Sequence, residues 1–294
     1  KLLSIYGDKI GYYADAGSSP NETGTETLLT GQTVTVTDPR ISRSLQSNDN
    51  LYYTTDTGMQ KLTAYNSAIS KSGAPPGLDV GLSYINGSSA GWFAADQIVG
   101  YRVVFGYRDA NSNLILGAPS DIATISNTFV EDVAAVRSGG GPYTLTVTST
   151  AHGLTTGMYL SFTLHSGSSL DADAVGTYQI IVTGADTFTY SVVPDPGASG
   201  NLDYCYAMPV RLEFSIPSDV TTALEWFYQI YRSSQQDISV GLLSDFKLIE
   251  ETLLTSAEIT ARVAFFTDDI DDILLGAELY TNENSREGEL QANY

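Results

Sequence analysis

The stretch YRVVFGYRDANSNLILGAPS, Tyr101–Ser120, constrains the fold more than any other part of this chain. Two apolar runs, Val103–Tyr107 and Leu114–Leu116, flank the polar loop Asp109-Ala110-Asn111-Ser112-Asn113. Asp and Asn tolerate left-handed backbone angles and hydrogen-bond their own turns, so the pattern predicts a β-hairpin with a three- to five-residue loop. Gly117 and Pro119 end the second strand, because proline has no N–H to donate into a ladder. Nothing in this hairpin performs chemistry. It reads as scaffold.

The rest of the chain is punctuated in the same way. With 294 residues there is room for two or three domains and a sizeable core. Charged residues are only 16%, whereas Tyr (19) and Gly (27) are plentiful. Tyr, Thr, Val and Ile favour strands and Gly marks turns, which predicts an all-β fold. The net charge is −20, from 34 acidic and 14 basic residues. Gripping nucleic acid requires Lys and Arg against phosphate, so that class is disfavoured, although DNA could still slide past such a surface. Cys205 is the single cysteine, which excludes an internal disulfide framework or a thiolate metal cluster. No apolar run approaches the roughly 18 residues of a membrane-spanning helix. The chain starts at Lys1 with no signal-peptide pattern and stops at ELQANY, so a processed or excised piece of a longer protein is expected.

Taken in order, residues 1–72 predict short hairpins, with strands at Leu2–Tyr6, Ile10–Tyr13, Thr33–Thr37, Asn50–Thr54 and Met59–Leu62. Paired short hairpins suit a propeller-like segment. Ser72–Gly77, SGAPPG, is a stiff connector. Beyond it, Leu78–Tyr84, Gln97–Tyr107, Leu114–Leu116 and Ile122–Ser126 have sandwich spacing, and the pattern resumes at Val210–Ile216 and Phe227–Arg232. Residues 73–127 and 206–276 therefore form one discontinuous fibronectin-III-like or Ig-like sandwich. Residues 128–205 read as a small inserted β domain with strands Tyr143–Ser149, Tyr159–Leu164, Thr177–Thr183 and Thr187–Val193. Ser138–Pro142 reads as a flexible hinge into it. Thr255-Ser256-Ala257-Glu258 fits a capping box and predicts a short helix, and Asp268–Leu275 a second helical turn. Residues 277–294 read as a linker to a missing C-terminal part.

Few residues qualify as candidate sites. Asp109, Asn111 and Asn113 open like a calcium loop, but Leu114 stands where glycine is needed and Ser120 where glutamate is needed. Asp268, Asp269, Asp271 and Asp272 could hold calcium too, but such a group more often reads as a solvated helix start, where carboxylates suit the helix dipole. His152 and His165 have no Cys or His partner at ligand spacing, and no G-x-S-x-G is present. No catalytic, cofactor-binding or metal residue is assigned, and the chain is expected not to be an enzyme. Trp92-Phe93 and Trp226-Phe227 could stack a glycan if exposed, but large aromatics are more often core anchors. A polysaccharide depolymerase would need two carboxylates facing each other at roughly 5–10 Å.

Tyr101–Ser120 also resembles a recurring segment of tail nozzle, or tail tubular, proteins of short-tailed double-stranded DNA phages. NLYYTTDTGMQKL (Asn50–Leu62) and LYTNENSREGELQANY (Leu279–Tyr294) resemble the same family in the same order and spacing. Ala151–Tyr190, with HGLTTG and GTYQIIVTGADTFTY, is similar to small β modules inserted in many phage tail proteins. The resemblance implies a structural subunit located in the tail of the virion. It implies a homo-oligomeric ring, a hexamer, around a channel that DNA leaves through without specific binding. Tail adaptor and tail fibre proteins are the implied partners, and no cofactor is implied. Family members run longer at both ends, which implies that this chain is a portion of the subunit. The alternative is a receptor- or glycan-binding tail module, part of a tailspike or adaptor. Acidic walls would keep the phosphate backbone from sticking in such a channel.

Overall fold

The computed structural model describes residues 2–6, 9–13, 26–28, 44–47, 50–55, 58–62, 70–86, 92–108, 112, 114–240 and 245–280. The chain is all-β, and it divides into Lys1–Ala74 and Pro75–Tyr294. In the first unit, β1 (Leu2–Tyr6), β2 (Lys9–Tyr13) and β3 (Glu26–Leu28) form one antiparallel meander. A second meander joins β4 (Ser44–Ser47), β5 (Asn50–Thr55), β6 (Gly58–Leu62) and β7 (Ser70–Lys71). Tyr53 and Leu62 are buried there. The strand expected at Thr33–Thr37 lies outside the described residues.

The second unit is built on β9 (Gln97–Arg108), which follows β8 (Val80–Tyr84). β9 carries the expected hairpin: β10 (Leu114–Leu116) pairs with its end, and β11 (Ala123–Asn127) pairs with its beginning. An all but unbroken apolar strand is what burial on both faces requires, and Val103, Val104 and Phe105 are all fully buried. Two glycines admit the close packing. A Cβ on Gly106 would lie 2.5 Å from the Phe227 ring, and one on Gly77 would lie 2.1 Å from the Val103 carbonyl oxygen. Both positions therefore exclude any side chain.

Between the two halves of this structure lies a seven-stranded sheet. Its strands are β12 (Val130–Ser138), β13 (Tyr143–Thr148), β14 (Tyr159–Leu164), β15 (Gly176–Gln179), β16 (Ile181–Gly184), β17 (Thr187–Val192) and β18 (Gly200–Tyr206). The order is β15-β14-β18-β12-β13-β17-β16, so the two edge strands are consecutive in sequence, separated only by Ile180. Ile180 is fully buried, and its N–H and C=O bond Met158 and Gly157 at 2.9 Å. The expected single strand Thr177–Thr183 is thus broken into two, and the break nearly closes the sheet into a barrel, leaving little open edge. Leu145, Val147, Leu160, Phe162, Phe188, Tyr190 and Leu202 fill the interior. Phe162 stacks on Tyr190 at 4.2 Å between centroids.

The sandwich then resumes with β19 (Val210–Ser215), β20 (Trp226–Arg232), β21 (Gln236–Asp237), β22 (Lys247–Leu253), helix α1 (Ser256–Ala261) and β23 (Val263–Asp268). One sheet is β10-β9-β20-β22 with β11 and β21 attached to β9; the other is β23-β19-β8. Phe214 on β19 touches Phe105 of β9 and Tyr228 of β20, which fixes the two sheets face to face. On the opposite side of β9, Val104, Tyr231, Phe246 and Leu279 form a second small core. Thr255 accepts from the Glu258 N–H while Glu258 accepts from the Thr255 N–H, a complete capping box.

Three expectations are corrected. Ser138–Pro142 is not a hinge: Ser138 pairs with Thr144, and the Gly/Pro run is the turn between β12 and β13. Ala277–Tyr280 does not begin a linker, because Leu279 is buried and the Ala277 carbonyl accepts from Leu248 N–H. The acidic run at Asp268 divides: Asp268 closes β23 with no exposed surface, whereas the exposed Asp271 caps the short helical turn Asp272–Leu274, accepting from Ile273 N–H at 3.2 Å as a solvated helix start would.

Candidate functional site

The densest polar arrangement is centred on Arg232. Arg232 ends β20 opposite Tyr101 of β9, and both face the end of β23, where Asp268 stands. A charge in a dry core needs partners. Arg232 Nη1 donates to Asp268 Oδ2 at 2.6 Å, and its Nη2 donates to Asp272 Oδ1 at 2.8 Å. The Tyr101 hydroxyl donates to Asp268 Oδ2 at 2.7 Å, and Ile270 N–H to the other carboxylate oxygen at 3.1 Å. Trp92 completes the cluster: its ring lies 3.6 Å from the guanidinium carbon, and its indole N–H donates to the Asp268 carbonyl at 2.9 Å. Burial pushes the Asp268 carboxyl up from its ordinary pKa, with Arg232 and Tyr101 pulling the other way. Burial, and then the neighbouring Asp268, pushes the Tyr101 phenol well up. Both Nη atoms of Arg232 are thus paired with carboxylates, its Nε is buried without a hydrogen-bond partner, and the cluster ties the ends of β9, β20 and β23 together as a lock.

The lock also engages one of the aromatic candidates. Trp92 is committed to Arg232 and Asp268, Phe93 is buried, and Trp226 and Phe227 are 4% and 5% exposed. Sequence reasoning missed the lock, although a signal existed. WFYQIYR is an otherwise uncharged strand, and an arginine at the end of such a strand needs a buried acid somewhere in the chain. Of the four acids singled out, Asp268 and Asp272 belong to the lock, and Asp269 and Asp271 are exposed. The calcium-like residues Asp109, Asn111 and Asn113 lie outside the described residues.

The histidines lie far apart in chemistry. His152 donates from Nε2 to the Gly184 carbonyl at 3.2 Å and accepts at Nδ1 from Leu154 N–H at 3.0 Å, so both nitrogens are used. It lines an apolar hollow of about 470 Å³ with Leu154, Val182 and Ala185. His165 follows β14 and places Nδ1 2.8 Å from Asp203 Oδ1 and Nε2 3.7 Å from Asp132 Oδ1. The hydrogen bond to Asp203, then the charges of Asp203, Asp132 and Glu131, raise its pKa above the ordinary histidine value. Cys205 is buried, and desolvation pushes its thiol up to about 11, so it is protonated and inert at neutral pH. Asp79 and Glu213 share a shallow groove of about 360 Å³ on the outer face of β8 and β19. Both are solvent-exposed, on an open sheet face.

No family model matches the chain, and no curated protein matches it. Among solved structures, the phage phi92 endosialidase is similar at 12% identity, over 81% of this chain and 43% of that one, with a TM-score of 0.24. The chain thus spans less than half the length of that protein, and a superposition at this score carries no argument about fold or activity.

Proposed function

We propose that this chain is a structural portion of a tail nozzle subunit of a short-tailed double-stranded DNA phage, located in the virion tail and assembled as a ring around the DNA exit channel. The observation that carries the reading is the resemblance of Asn50–Leu62, Tyr101–Ser120 and Leu279–Tyr294 to that family, in order and spacing. The chemistry of the described residues agrees with a scaffold role. Their densest polar cluster is the Arg232 lock; Trp226 is buried, and the half-buried Trp92 stacks on Arg232 and donates to the Asp268 carbonyl. The three-stranded sheet β23-β19-β8 has two outer strands able to meet neighbouring copies. Tail adaptor and tail fibre proteins are the partners this reading supplies.

The net charge of −20 suits a wall past which DNA slides. Its repulsion acts over about 8 Å at physiological ionic strength, so only acids at the lumen count. Asp269 and Asp271 are the exposed members of the densest acidic group and the first to reverse to Lys. Electron microscopy of the purified chain, and of particles labelled with antibody against it, tests the assignment. Closed rings and labelling on the tail axis are expected. A monomer at every concentration, or label on the fibres, overturns the nozzle reading and favours the receptor-binding one.

A further inference from the structure

The module between residues 130 and 206 meets the sandwich at a narrow neck. The Asn127 side chain donates to the carbonyls of Phe93 and Tyr206 and accepts from Tyr206 N–H, so the entering and leaving strands are stitched together there. Immediately beyond this stitch the β12–β18 ladder is irregular: its register shifts between Val130 and Val133. Asp132 sits in the irregularity with a left-handed φ of 57°, a conformation Asp adopts more readily than most residues. Its N–H donates to Asp203 Oδ1 at 2.8 Å, and its carboxylate accepts from Asn201 Nδ2 at 2.5 Å.

His165 lies over this bulge. Its backbone is fixed, with its N–H on the Asn201 carbonyl and its carbonyl accepting from Ser168 N–H. The ring therefore points one nitrogen at Asp203 of β18, 2.8 Å away, and the other toward Asp132 of β12, 3.7 Å away. Among the described residues, the charged groups acting on it are Asp203, Asp132 and Glu131. An imidazolium carries two N–H groups and serves both carboxylates. A neutral imidazole carries one. If Nδ1 keeps its proton for Asp203, Nε2 turns a lone pair toward the Asp132 carboxylate, and the second contact becomes repulsive.

We propose that His165, Asp132 and Asp203 form a proton-operated clasp at the neck of the barrel, shut when the imidazolium bridges the two carboxylates and released at Asp132 when it deprotonates. The bistable element is the bulge at Asp132, which loses its outer restraint while the Asp203 contact persists. The direction follows from linkage. A histidine whose folded pKa is raised contributes stability that is fully present below its unfolded value of about 6.5 and is lost as pH rises through the folded value. The clasp therefore loosens the neck on the alkaline side. The inference stands apart from the nozzle reading, since it needs neither a ring nor a phage.

The test uses the full chain in solution. The ring C–H proton resonance of His165, assigned with His165→Gln, should titrate above the ordinary histidine value. Asp132→Asn should lower that midpoint, and Asp203→Asn should lower it further. Hydrogen-exchange protection at the Asp132 and Val133 amides, corrected for intrinsic base catalysis, should fall as His165 deprotonates. In His165→Gln the protection should be low and flat with pH. Should that variant fail to fold, Asp132→Asn keeps an acceptor for Asn201 and carries the same test. An ordinary or lowered His165 midpoint, an unmoved midpoint in Asp132→Asn, or equal pH dependence with and without His165 overturns the clasp.

Discussion

The barrel and the sandwich are made from the same strand-forming residues yet are closed in different ways. In the barrel, the buried groups are almost entirely aliphatic and aromatic, and their hydroxyls are paired: Ser149 with Tyr204 at 2.9 Å, and Tyr190 with the Ala174 carbonyl at 3.0 Å. In the sandwich, Asn127, Gln229, Arg232, Ser233 and Asp268 are all buried. Three of the six barrel strand pairs join consecutive strands, and the turn at Ile180 joins the two ends of the sheet, so the closure itself fixes the register. The sandwich must instead bring Tyr101 to Asp268 across 167 residues. A non-directional hydrophobic contact tolerates slippage along such a strand, whereas a charge pair with set hydrogen bonds does not.

The largest effect should come from breaking that lock. Asp268→Ala leaves the Arg232 guanidinium buried without its main partner, and removing one member of a buried pair costs about 3–5 kcal/mol. Denaturant titration followed by Trp92 and Trp226 fluorescence should show this loss in the sandwich, with the barrel amides keeping their exchange protection. A cost near that of a surface pair would mean that water reaches the site and the lock does not set the register. The counterpart in the barrel is Leu160→Ala, a fully buried side chain in a sheet that cannot collapse around the gap. A loss of about 2–5 kcal/mol is expected, confined to the barrel. Equal loss of protection in both regions would show that they unfold as one cooperative unit.

The contrast also explains what could be read from sequence. Strands with alternating or continuous apolar runs, such as Gln97–Arg108 and Tyr143–Thr148, were legible because burial writes the period directly into the residues. Val130–Ser138 was not, because its bulge at Asp132 breaks the alternation and the Gly run after it imitates a hinge. Lys247–Leu253 and Val263–Asp268 were hidden by charged or exposed positions, Glu250 and Glu251 in one and Phe265 in the other. The lock was illegible for a different reason. Its members, Trp92, Tyr101, Arg232 and Asp268, are brought together by tertiary pairing of β9, β20 and β23, which no local spacing records.

A smaller effect is expected at α1, the short helix that leads into β23. Thr255→Ala removes the oxygen that accepts from Glu258 N–H and should cost about 1 kcal/mol, the usual worth of such a cap. Thr255→Ser should recover most of it, and thermal unfolding of the two variants side by side decides. If Thr255→Ala is silent, Arg262, whose guanidinium holds the Pro217 and Val220 carbonyls at 2.9 and 2.7 Å, fixes the helix without the cap.

The smallest effect sharpens the comparison most, because it holds geometry constant. Arg137 on the barrel meets Asp195 at 2.6 Å, the same distance that separates Arg232 from Asp268. The side chains of the outer pair are 31% and 45% exposed, those of the inner pair 0%. Water solvates Arg137 and Asp195 in the unfolded chain and still reaches both in the folded one, so their pairing should be worth about 0–1 kcal/mol. Asp195→Asn isolates that charge term while leaving Arg137 over the Tyr143 ring, 4.5 Å from its centroid. Arg137→Ala removes the stacking as well and should cost somewhat more, through lost packing of the arginine stem. Raising the salt to about 1 M shortens the screening length to about 3 Å and should abolish the Asp195→Asn effect while leaving that of Asp268→Ala intact. If the two pairs instead responded alike to salt, burial would not be what separates them, and the distinction between a barrel closed by its own strands and a sandwich pinned by a dry charge would fail.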